Sequence, residues 1–103
     1  MANFVLIYHG GRMPETPEEG AAVTQAWTTW FGQLGDALVD GGNPVSKTRT
    51  ISSDGSVSDP ASSTSGYSII KADSLEAAVA LAKGCPVLGG GSSIEVAETF
   101  AAM

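Results

Sequence analysis

The chain has 103 residues, a formal net charge of −6 and one cysteine; this length suits a single domain over residues 1–103 with a core that needs neither disulfide nor metal. Cys85 cannot form an internal disulfide, which favours a cytoplasmic setting. The five basic residues, Arg12, Lys47, Arg49, Lys71 and Lys83, are scattered, which argues against nucleic acid or a membrane surface as partner, and the apolar run at residues 4–8 is too short for a membrane span or signal-peptide core.

Residues 3–9 (NFVLIYH) are apolar and rich in β-formers, and they stop at Gly10 and Gly11. This predicts a strand. Thr16, Pro17 and Glu19 then mark a helix start: Thr16 can cap, Pro17 suits the first helical position and Glu19 completes a capping box. The helix is expected to run to about Val39, with Val23, Trp27, Trp30, Leu34 and Leu38 along one face. Gly32 and Gly35 weaken its second half by about 1 kcal/mol each relative to alanine, serving either close packing or a kink. Asp40, Gly41, Gly42, Asn43 and Pro44 end it.

Residues 45–53 read as a moderate strand through Thr48, Thr50 and Ile51, residues 54–65 as a polar loop, and residues 66–72 as the next strand. Asp73 is expected to cap a second helix, with Glu76 three residues on and Leu75, Ala78, Val79 and Ala82 on one face; Gly84 stops it. Residues 93–100 supply the last strand, with Ile94, Val96, Glu98 and Phe100 on one side.

The order β-α-β-β-α-β predicts an α+β, ferredoxin-like fold, an antiparallel four-stranded sheet with two helices on one face. In the first strand Phe4, Leu6 and Tyr8 face one way and Val5, Ile7 and His9 the other, so both faces carry apolar residues. Two helices cover only one. A second protomer stacked on the open face would bury Val5 and Ile7, which makes a homodimer the expectation.

Four segments, FVLIYHGG, ALVDGGNP, SGYSIIKADSLEAAVALAKGCPVL and the late SIEV, together resemble the YCII-related family, also called the DGPF group, over nearly the whole chain. The resemblance implies a dimeric α/β barrel. It implies little about activity, since most members are uncharacterised, some are associated with sigma factors and a few resemble small-molecule lyases or dehydrohalogenases. The DGPF signature should precede the third strand, where this chain reads Val57-Ser58-Asp59-Pro60-Ala61, keeping the aspartate and a displaced proline. Founding members also pair a histidine within the first helix with an aspartate. This helix holds no histidine, Gln25 standing at roughly that position, so the dyad is not carried over intact.

Topology brings three loops, residues 10–15, 54–65 and 84–92, to one end of the sheet, with Asp40 and Asn43 at the other. His9 is then the candidate acid or base, because its ordinary pKa alone lies near neutrality and an adjacent carboxylate would orient it. Asp59 is the candidate orienting group, and Tyr8, Gly10, Gly11, Asp54 and Gly90 are candidate ligand contacts. Each has a plainer reading: His9 as a strand-end histidine bonded to a carbonyl, Asp54 and Asp59 as turn formers, and the turn at Gly89, Gly90 and Gly91 as a spacer rather than an anion cradle. Trp27 and Trp30 read as core rather than ligand pocket. Cys85 follows a helix C-terminus, where the dipole disfavours a thiolate, and reads as structural. One histidine and one cysteine make no metal cluster, and no cofactor motif is present. Two functions fit: a small molecule bound or transformed in a cleft near His9, or a non-catalytic dimeric regulatory or scaffolding module.

Overall fold

A computed structural model describes residues 1–11, 14–59 and 63–101. Strand β1 (Ala2–His9) is followed by helix α1 (Pro17–Leu34), strand β2 (Leu38–Asp40), the short strands β3 (Thr50–Ile51) and β4 (Val57–Ser58), strand β5 (Thr64–Ala72), helix α2 (Leu75–Ala82) and strand β6 (Ser93–Glu98). The main sheet is antiparallel with strand order β2-β5-β1-β6. This is an α+β architecture compatible with the ferredoxin-like arrangement.

The N-terminus of α1 forms as its residues dictate. Thr16 is extended, its Oγ1 accepts the Glu19 N–H at 3.1 Å, and Glu19 Oε2 accepts the Glu15 N–H at 3.0 Å. The first bond occupies a donor that helix geometry leaves over; the second holds the residue before the cap, in place of the Thr16 N–H that a capping box would engage. The helix ends five residues before the expected position. At Gly35 φ turns positive, to 54°, its N–H returns to the Phe31 carbonyl, and a single 3-10 turn (Gly35–Ala37) leads into the sheet. Leu38, expected on the helix, is therefore the first residue of β2, and Val23, expected in the core, is 44% exposed.

The second strand of the sheet is accordingly Leu38–Asp40, not residues 45–53. Thr50 and Ile51 instead pair with Ser58 and Val57 in a separate two-stranded hairpin. Its turn is closed by Asp54, whose Oδ1 accepts the Ser56 N–H at 2.9 Å. The second helix is capped by Ser74 rather than Asp73: Ser74 is extended and its Oγ accepts the Ala77 N–H at 3.1 Å. Strand β6 ends at Glu98, although Thr99 still donates its N–H to the Asn3 carbonyl at 3.0 Å.

One sheet face meets both helices. Phe4, Leu6 and Ile70 are wholly buried there against Trp30 and Leu34 of α1 and Ala78 and Ala82 of α2. Tyr8 and Trp27 meet edge to face at 5.4 Å between ring centroids, and Trp27 meets Trp30 likewise at 5.7 Å. The Trp30 indole N–H donates to the Leu81 carbonyl at 3.3 Å, tying the two helices together. Both tryptophans thus belong to the core side, as their spacing indicates. Cys85 is free and buried, and burial pushes its thiol pKa up, consistent with a structural role.

A polar chain crosses this core. Tyr8 Oη donates to Ser68 Oγ at 2.7 Å, and Ser68 Oγ donates to the Gly41 carbonyl at 2.8 Å. Burial holds the Tyr8 phenol pKa well above its ordinary value of 10.0. The folded state therefore keeps a proton that the unfolded chain releases above that value, so the contribution of Tyr8 to stability is fully present below about pH 10 and is lost as pH rises beyond it. In an alkaline titration followed by phenolate absorbance, Tyr8 is expected to ionise only as the fold is lost. Ionisation of Tyr8 with the fold intact would refute this.

Candidate functional site

His9 is the last residue of β1, and strand alternation puts its ring on the sheet face without helices, beyond Val5 and Ile7. The pairing with β5 slips at this point: Tyr8 opposes Gly66, while His9 opposes Thr64. Such a bulge re-aims a side chain, and it brings the residue before Thr64 against the ring. His9 Nδ1 lies 3.0 Å from Ser63 Oγ. On the other side β6 sets Glu95 opposite Ile7, and Glu95 Oε1 lies 3.3 Å from His9 Nε2.

The chemistry of the three groups selects one hydrogen-bonding arrangement. An ionised carboxylate only accepts, so Nε2 carries the proton toward Glu95. In the neutral ring Nδ1 is then the acceptor, and Ser63 donates its hydroxyl proton to it. The result is a relay, Ser63 to His9 to Glu95, in which the imidazole can take a proton at Nδ1 while a carboxylate faces the resulting imidazolium. The His9 side chain is 26% exposed and that of Glu95 64%, so the relay is open to solutes.

The loops expected at this end do converge. Gly10 donates its N–H to the Ser63 carbonyl at 3.0 Å. Gly11, with φ of 97°, packs so closely on Ser92 that a β-carbon would run into the Ser92 hydroxyl. That hydroxyl oxygen is buried and has no hydrogen-bond partner among the described residues. Asn43, expected at the far end, lies along β5 instead: its carbonyl accepts the Tyr67 N–H at 3.3 Å, and Pro44 bridges to Gly66. Once the helix ends at Gly35, residues 38–45 have length enough to run back along the sheet.

The other candidates are placed elsewhere. Asp59 does not orient His9; it pairs with Arg49 at 3.1 Å, while Pro60 and Ala61 lie outside the described residues. Tyr8 points to the opposite, helix-covered face and bonds Ser68. Asp54 serves its own turn, and the Ser56 hydrogen bonds hold its carboxyl below the usual range. Gly90 is exposed and ends a 3-10 turn (Pro86–Gly90). Ser63 and Glu95 had no signal in the sequence as partners of His9, because their proximity depends on the bulge and on the β1–β6 register. Among the described residues no group of three or more His, Cys, Asp or Glu side chains could hold a metal ion. Nor is any helix long and apolar enough to cross a membrane.

The Arg49–Asp59 pair joins side chains 56% and 58% exposed, and exposed pairs contribute little. Asp59→Ala is expected to change unfolding free energy by less than about 1 kcal/mol and to leave the His9 ring resonances in place. A displaced His9 signal would restore Asp59 to the site. No protein-family model matches this chain, and no curated protein matches it.

Proposed function

We propose that this chain is a YCII-like cytoplasmic protein that binds a small molecule at His9, or transforms it by proton transfer through the imidazole. The observation that carries the reading is the Ser63–His9–Glu95 relay: the only histidine of the chain has a hydroxyl on one ring nitrogen and a carboxylate on the other. A ligand hydroxyl or acidic C–H that displaces Ser63 from Nδ1 would meet the basic nitrogen of a ring already oriented by Glu95. Ligands are sought with a metabolite library, read by thermal shift and by the ring resonances of His9. A hit is expected to move those resonances, to be lost in His9→Ala and to weaken in Glu95→Gln. A library without hits, or a hit that His9→Ala binds equally well, sinks the proposal.

A second reading, a non-catalytic dimeric module, is favoured by the open sheet face. Val5, Ile7, Tyr67, Ile69 and Ala97 form a half-exposed apolar surface there, the kind of area that marks an interaction site. A second copy stacked on this face would close a dimeric α/β barrel with His9 at its rim. Ile69→Asp is expected to yield monomers in sedimentation equilibrium if that face is the interface, and an unchanged mass would exclude it.

A further inference from the structure

Strand β6 is an edge of the sheet. Thr99 gives its N–H to Asn3 of β1, and β1 and β6 pair without a slip from Phe4–Glu98 to His9–Ser93. In an antiparallel ladder, bonded and non-bonded positions alternate. Residues 93, 95, 97 and 99 therefore turn their backbone groups to β1, and Ile94, Val96 and Glu98 turn theirs outward. An edge of this kind templates another strand unless proline, a bulge or inward charge blunts it; β6 contains no proline, pairs with β1 without a bulge, and carries its one helix-side charge, Glu98, exposed at its end.

Beside this edge, on the helix side, lies an apolar groove of about 120 Å³ lined by Val79, Ala82, Lys83, Leu88, Ile94 and Val96. An apolar cavity of about 150 Å³ accepts a benzene ring, so the groove is close to the size of one aromatic side chain. Leu88 on its wall is 42% exposed. Just past β6, on the same alternation as Ile94 and Val96, stands Phe100, 86% exposed. The molecule thus presents an aromatic ring and an aromatic-sized groove along one edge.

We propose that the β6 edge is a self-association surface. Two copies pair their β6 strands antiparallel about a two-fold axis at Val96, and Phe100 of each enters the groove of the other. Register follows from charge. Pairing centred on Glu98 would set two glutamates directly opposite, which is unfavourable. Centring on Val96 sets Val96 against its copy and Glu98 of the second copy against Ile94, on the groove side where Lys83 supplies the opposite charge. Phe100 of the second copy then comes opposite Ser92, beside Leu88 and Ile94. The outward N–H and C=O groups of Ile94, Val96 and Glu98 all find partners, and the two sheets become one of eight strands. This surface is distinct from the open face carrying Val5 and Ile7, and it does not depend on the His9 site.

Amide hydrogen exchange at rising protein concentration tests the proposal. The amides of Ile94, Val96 and Glu98 are expected to gain protection with concentration, together with a doubling of mass in sedimentation equilibrium. Val96→Pro removes one outward donor without touching a β1–β6 bond, a position edge strands tolerate, and should abolish the association. Phe100→Ser, outside the strand, is expected to weaken it about tenfold or more and decides the matter should the proline variant fail to fold. Exchange at these three amides that does not vary with concentration overturns the proposal. So does association that survives both variants; if Ile69→Asp then abolishes it, the open face is the interface.

Discussion

Gly42→Ala is expected to destabilise the protein by about 2–4 kcal/mol, combining the left-handed backbone penalty with forced displacement of packed backbone. Gly42 has φ of 72°, and a β-carbon built there lands on the carbonyl oxygen of Tyr67. That carbonyl belongs to β5, a rigid neighbour, so the strain cannot be relieved by rotating a side chain. The Gly42 N–H also meets Asp40 Oδ1 at 2.8 Å, closing the turn that sends the chain along β5. Gly55→Ala provides the control. Gly55 has φ of 90° but nothing within 4 Å of the new β-carbon, so only the conformational penalty applies, about 1 kcal/mol. Urea unfolding of the two variants measures the difference. Equal losses would mean that the segment after β2 yields freely and that the close approach at Tyr67 contributes nothing.

Ser68→Ala is expected to cost about 2–4 kcal/mol, since it leaves one buried and one half-buried group without this partner at about 1–3 kcal/mol each. Ser68 is fully buried, accepts from Tyr8 and donates to Gly41. Its loss strands the Tyr8 phenol and the Gly41 carbonyl together. The Cys85 thiol stands near Tyr8 as a substitute, and sulfur is a weak acceptor. Tyr8→Phe should cost less, about 1 kcal/mol, because Ser68 keeps its bond to Gly41. With the phenol already gone, Ser68→Ala strands only the carbonyl, so the double variant should lose less than the sum of the singles. Guanidinium unfolding of the four proteins measures the coupling. Strict additivity would show that the two bonds act independently, contrary to a chain through one hydroxyl.

The contrast between these two sites marks how much was legible in the residues. The alternation of residues 3–9, the Thr16 cap and the apolar spacing of Trp27, Trp30 and Leu34 are local signals, and β1, the start of α1 and its buried face form where expected. Failures came where a local signal had competitors. Thr48, Thr50 and Ile51 favour a strand anywhere, yet the sheet position opposite β5 went to Leu38–Asp40, because Gly35 ended the helix early. Asp73 and Ser74 can each cap, and the backbone used the serine.

At the candidate site, the residues alone mark His9 as the one side chain with an ordinary pKa near neutrality, standing at a strand end beside loops. The five basic residues are scattered along the chain, which is the ground for expecting no nucleic-acid partner. Which groups meet His9 was decided only by tertiary structure. Asp59, nearer in expectation, is drawn to Arg49 in the hairpin, while Ser63 and Glu95 arrive through a bulge and a strand register. The reason is geometric: a shift of one residue in pairing turns every side chain of a strand to the other face. Residues 54 and 86 positions away from His9 reach it through that register, and composition and spacing along the chain carry no record of it.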